Sequence, residues 1–218
     1  MIRMIRAFSV AGVATAVLFL AVWSVHGGGW AVVTVDDLPD YVVAGEPFTL
    51  DFSVRQHGMH LTEAPGARVV ATNGRREITV PAAAGQSVGY YSSTITLPDP
   101  GDWTLTIRGW QEMTLLPIEA VTPGRPAPPP AEARERGRRL FVAKGCIGCH
   151  AHEGVDRPVL YRAGPELTSA RYSRDYLGQV LLDPAATLRF DMWEMPDLVL
   201  DDDEVAALAA FLNPKDTE

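Results

Sequence analysis

Cys146–Ile147–Gly148–Cys149–His150 sets two thiols three positions apart, with an imidazole directly after the second. Thiols at this spacing reach the two vinyl groups of one haem and close thioether bonds, and the histidine that follows is then placed beneath the iron as an axial ligand. Rival chemistries ask for more. A structural zinc site takes four ligands, usually from two such pairs, and the chain has only two cysteines. A thioredoxin-type redox pair opens a helix within a βαβ unit, a pattern this sequence lacks. A disulfide framework would spread more cysteines over a wider span. The motif therefore points to one covalently bound haem c.

The sixth iron ligand has to come from downstream. Met192 and Met195 stand three residues apart, ahead of a C-terminal helical stretch. A thioether is a soft axial ligand that raises the reduction potential. Unligated, either methionine would serve as filler in an apolar gap, and the residues alone leave the choice between the two open. A second set of soft ligands, His57, Met59 and His60, interrupts a β-like pattern at Val54–Arg55–Gln56–His57–Gly58–Met59–His60. Imidazole and thioether both suit copper. A type 1 copper site also needs a cysteine and a dinuclear one needs two, and both cysteines are engaged by the haem motif. The plain alternative is a polar loop with a packed methionine.

The elements that position these residues fall into distinct parts. Residues 29–121 read as short strands: Phe48, Leu50, Phe52 and Val54 alternate with polar residues, as do Trp103, Leu105 and Ile107. Asn73–Gly74 and Asp99–Pro100–Gly101–Asp102 read as turns. Around seven strands are expected, as in an antiparallel sandwich. Residues 122–131 form a proline-rich linker, with five prolines between Pro123 and Pro130. Such a stretch is semi-rigid and extended, and predicts a haem domain tethered at a movable joint. Residues 132–218 change period and read as helical: 132–144, then 173–182 with Ser173 as N-cap, then 202–212 with Asp201 and Glu204 as a capping pair. At the N-terminus, Arg3 and Arg6 precede 19 uncharged residues, Ala7 to Val25. That is close to the roughly 20 residues that span a bilayer. Residues 1–28 are thus expected to be a membrane-spanning signal anchor, N-terminus inside, with the rest of the chain on the outer face. A cleaved signal peptide is the alternative, and it exports residues 30–218 equally.

Residues 134–218 resemble a class I cytochrome c domain. Gly137 and Phe141 match the family's glycine and aromatic that cross the terminal helix, and Leu208 and Phe211 match the residues that meet them. Gly164–Pro165–Glu166–Leu167 resembles the segment whose proline carbonyl accepts a hydrogen bond from the proximal histidine. Met195–Pro196, followed by Leu198 and Leu200 and an acidic capped helix, resembles the distal-ligand loop. The resemblance implies His150 and Met195 as the axial pair, Met192 as a neighbour, and Pro165 as the partner that orients His150. It gives no secure counterpart for the tryptophan that holds a haem propionate; Tyr172, Arg171 and Arg189 stand open for that role. Residues 29–121 weakly resemble Ig-like extracytoplasmic modules. The order of anchor, sandwich and cytochrome resembles oxidase subunit II fused to cytochrome c, without that family's copper cysteines or second membrane helix.

The expected fold class is therefore multidomain: an N-terminal transmembrane helix, an all-β Ig-like sandwich and an all-α class I cytochrome c domain. The formal net charge is −8, and no basic stripe exists to neutralise a phosphate backbone, which counts against nucleic-acid binding. The expected function is outer-sphere electron transfer. The chain would be a carrier or a subunit of a respiratory or photosynthetic complex on the outer face of a bacterial membrane, exchanging electrons with redox partner proteins. With both axial positions filled, no bond chemistry at the iron is expected of the chain alone. The alternatives are a haem enzyme or sensor with a labile sixth ligand, and a metal-handling scaffold using the β domain.

Overall fold

The computed structural model describes residues 29–155, 163–169, 171–188 and 195–213. Among the described residues eleven strands come first, then four α-helices and one 3₁₀ turn. Strands β1 (Ala31–Val35), β3 (Pro47–Gln56), β8 (Tyr90–Thr96) and β7 (Ala83–Ala84) lie side by side in one sheet, with β4 (His60–Leu61) also paired to β3. The second sheet runs β2 (Tyr41–Val43), β11 (Ile118–Val121), β9 (Gly101–Arg108), β5 (Arg68–Thr72) and β6 (Glu77–Pro81), with β10 (Glu112–Thr114) also on β9. Alternation builds the core between them. Leu50, Phe52, Val54 and Ile95 from the first sheet meet Val69, Ala71, Trp103, Leu105, Ile107 and Ile118 from the second, all buried. The strands exceed the expected seven because short pairings such as β4, β7 and β10 carry too few residues to show a period.

The connection between β5 and β6 is the turn read from Asn73–Gly74: the Asn73 carboxamide oxygen accepts from the Arg75 and Arg76 amides. After β11 the proline-rich stretch leads to helix α1 (Ala133–Ala143), a 3₁₀ turn (Cys146–Gly148), α2 (Arg174–Leu182), α3 (Pro184–Thr187) and α4 (Asp202–Leu212). Ser173 caps α2 by accepting from the Tyr176 amide. Asp201 and Glu204 close a reciprocal capping box on α4. Helices α1 and α4 cross where α1 has no side chain. A Cβ on Gly137 would lie 1.9 Å from the Ala207 carbonyl oxygen. Phe141 and Phe211 meet one turn further on, ring centroids 5.5 Å apart.

Two expectations are corrected here. The fold class included an N-terminal membrane-spanning helix, but no helix of the described residues is long and apolar enough to cross a membrane. The fold is a two-sheet β domain followed by a helical domain. Residues 1–28, on which that expectation rested, lie outside the described residues. The proline-rich stretch also predicted a movable joint, yet the two domains pack on each other. The loop between β1 and β2 grips α1: Arg136 Nη1 lies 3.0 Å from Asp40 Oδ1. Arg139 donates to the carbonyls of Asp40 and Pro39 at 3.0 and 3.2 Å. Lys144 Nζ donates to the Asp36 carbonyl at 2.7 Å. The apolar core runs on from the sheets into the helices.

Candidate haem attachment site

The site begins where α1 ends. Lys144 closes the helix, and Gly145 then turns the chain at φ +80°, a left-handed conformation that a side chain would oppose. The sharp reversal starts the 3₁₀ turn that carries Cys146 and puts Cys149 at its end. Hydrogen bonds from the Cys149 and His150 amides to the Cys146 carbonyl, at 3.1 and 2.8 Å, wind the motif into a tight coil. Both cysteines are free thiols. Burial pushes the Cys146 thiol up to about 12, with the neighbouring Cys149 adding to it, and burial raises Cys149 as well. Among the described residues, no three His, Cys, Asp or Glu side chains converge as a metal site.

His150 is held by its backside. Its Nδ1 lies 2.9 Å from the Pro165 carbonyl oxygen. A carbonyl only accepts, so Nδ1 carries the proton and Nε2 keeps a free lone pair. Burial lowers the imidazole's proton affinity, with the Pro165 bond acting the other way, so the ring stays neutral and able to ligate. The segment before Pro165 runs flat against the ring: a Cβ on Gly164 would come within 2.3 Å of His150 Cε1. The Gly164 amide donates to the Cys149 carbonyl at 3.1 Å and fixes that approach. His152 packs at 4.2 Å from Phe211 and 5.8 Å from Phe141, tying the motif to the helix crossing.

On the distal side, Met195 is half-buried and packed against the core, next to Leu198 and ahead of the Asp201 cap. Met192 and Arg189 lie outside the described residues. Arg171 donates to the Thr168 carbonyl at 3.2 Å. Tyr172 stacks on Tyr176 at 5.5 Å, and its carbonyl accepts from the Asn213 carboxamide. His57 and Met59 sit on the turn from β3 to β4, and His60 opens β4. His57 adopts a left-handed φ of 53° there, and its ring lies 5.9 Å from that of Trp30. Sequence reasoning read Glu204 only as a capping residue and missed its buried pair with Lys144, at 2.7 Å behind the motif, and it missed Val32, which lies against Gly145 and Gly148.

Residues 134–214 match the Cytochrome c family model. The C-terminal part of the chain is a cytochrome c domain. Such a domain carries covalently bound haem c, and the paired thiols with an oriented imidazole suit that group. Among curated proteins there is no significant match. Among solved structures, domains 4 and 5 of the S-layer protein SbsC are similar over 43% of this chain and 54% of that one, at 16% identity and a TM-score of 0.32. The placement of the cytochrome c domain rests on residues 134–214 alone. It makes the chain a haem c electron-transfer protein.

Proposed function

We propose that the chain moves single electrons between redox partner proteins of a membrane electron-transport chain, on the outer side of a bacterial cytoplasmic membrane. Cys146 and Cys149 would hold one haem covalently, and His150 and Met195 would supply its iron ligands. The observation that carries this reading is the His150 geometry: Nδ1 is tied to Pro165 and Nε2 is left as a lone-pair donor beside two free thiols. When bound, the haem supplies a one-electron couple. The protein's own residues do the rest. Cys146 and Cys149 anchor the group, Pro165 keeps the imidazole from turning, and the apolar wall of Leu140, Phe141, Leu208 and Phe211 stiffens the base on which it sits. The uncharged run after Arg3 and Arg6 supports export of the rest of the chain, and the acidic surface suits a partner with a basic face. Intact-mass measurement of protein made in a host with a haem-attachment system tests the reading. The mass should exceed that of the polypeptide by one haem, and the haem should resist acid–acetone extraction. A polypeptide mass without haem, or extractable haem, overturns it.

A further inference from the structure

At its β1 end, the outer face of the first sheet is not a free surface. In β1, Ala31, Val33 and Val35 point into the core between the sheets. Val32 and Thr34 point the other way. On a sheet with one solvated face they would be wet, yet they are 8% and 2% exposed. Their neighbours across the ladder, Arg55 opposite Val32 and Ser53 opposite Thr34, are buried too. Arg55 ties this face together by donating to Thr34 Oγ1 at 3.3 Å and Ser53 Oγ at 2.6 Å. What covers it is the haem-attachment segment. Thr34 Oγ1 donates to the Lys144 carbonyl at 3.3 Å. A Cβ on Gly145 would lie 2.4 Å from one Val32 methyl and 2.5 Å from the Val33 carbonyl oxygen; a Cβ on Gly148 would lie 2.8 Å from the other Val32 methyl. Gly145 is needed for its backbone angle as well. For Gly148 the close approach of Val32 is the reason that the structure offers.

We propose that the β domain is a fixed wall of the haem site, and that Val32 is a positioning residue that keeps water from the Gly145–Cys149 side and so holds the reduction potential up. This rests on haem attachment at Cys146 and Cys149 as proposed above. Besides the Thr34–Lys144 bond, three polar anchors fix the wall: Asp40 on Arg136, the Pro39 and Asp40 carbonyls on Arg139, and the Asp36 carbonyl on Lys144. Val32 is the apolar contact between them and the thioether segment. The sign follows from charge. The oxidised iron carries one more positive charge than the reduced iron, so keeping water away disfavours the oxidised form and raises the potential. The wall also means that a redox partner reaches the haem from a side other than the one β1 covers.

The test uses the full chain loaded with haem. Val32→Thr keeps the shape and adds a hydroxyl that water can follow. Intact mass should still show one covalent haem, and the midpoint potential should fall below that of the parent protein. An unchanged or higher potential with the haem in place overturns the proposal alone; a mass without haem overturns the functional reading beneath it. A second arm does not depend on that variant folding. A protease site placed between Pro126 and Pro130 lets the chain be cut after folding. The two fragments should elute together, with the potential of the uncut protein. Fragments that separate, or a shifted potential, overturn the fixed wall.

Discussion

Lys144 Nζ lies 2.7 Å from Glu204 Oε1, with the two side chains 2% and 7% exposed. Each partner has a second tie. Lys144 also donates to the Asp36 carbonyl, and the other Glu204 oxygen accepts from the Asp201 amide at 3.3 Å in the α4 capping box. The β domain, the end of the first cytochrome helix and the start of the last one therefore meet at a single ammonium group.

Removing one member of such a pair leaves the other charge buried and uncompensated, which costs about 3–5 kcal/mol. Lys144→Met should therefore lower the stability of the haem-loaded protein by that order. Combining it with Glu204→Leu should recover much of the loss, because an apolar pair of similar volume has no charge to desolvate. Urea unfolding of the parent, the single and the double variant measures this. A double variant no better than Lys144→Met would mean that the pair's packing, not its charge, is what matters.

The crossing of α1 and α4 gives a second prediction. Ala in place of Gly137 gains about 1 kcal/mol of helix propensity. Its Cβ would, however, sit 1.9 Å from a backbone carbonyl, which no side-chain rotation relieves. The helices must part, and overpacking of this kind costs about 1–3 kcal/mol or more. The expected outcome of Gly137→Ala is a net loss of stability and a lower thermal midpoint. A stabilised variant would show that the helices do not cross this closely.

His152 supplies a pH dependence. Burial between Phe141 and Phe211 lowers its proton affinity below the ordinary value of 6.5, with the Glu166 and Glu153 carboxylates pulling the other way. Its Nδ1 accepts from the Gly154 amide at 3.0 Å, a bond that the imidazolium cannot make. Above pH 6.5 the folded and unfolded forms are both neutral and stability is full. As pH falls through 6.5 the unfolded chain takes the proton first, so stability declines until the folded ring titrates. In the haem-loaded protein, melts from pH 7.5 down to 5.5 should show the parent losing stability relative to His152→Gln. A difference that stays constant across that range would exclude this role.

What could be read from the sequence divides along physical lines. Short-range chemistry was legible: Cys146, Cys149 and His150 at their spacing, Ser173 and Asp201 as caps, and Asn73 in its turn, because each is decided within a few residues. The docking of the two domains was not, because Lys144 meets Asp36 across more than a hundred residues of chain. One local signal did exist. Ala31–Val35 is a nearly unbroken apolar run instead of an alternating one, as expected of a strand buried on both faces. The proline-rich stretch told of extended backbone and nothing about whether the domains beyond it touch.

The proposed iron ligand, Met195, is where sequence and structure together allow the sharpest prediction. Met195 packs on the core six residues before the Asp201 cap, so α4 anchors the segment on its C-terminal side. Pro196 directly after it restrains the backbone further. The segment that carries Met195 is anchored through Leu200 and the capping box to the same helix, α4, that Phe211 locks against Phe141. Met195→Ala should abolish the methionine-to-iron absorption band of the oxidised protein and lower its potential, since a soft thioether favours the reduced iron. Met192→Ala should leave both unchanged. In both variants the covalent haem should remain, because Cys146, Cys149 and His150 are untouched. Loss of the band in Met192→Ala and its survival in Met195→Ala would move the ligand to Met192. A parent protein without the band would point instead to an open sixth position and to ligand binding at the iron.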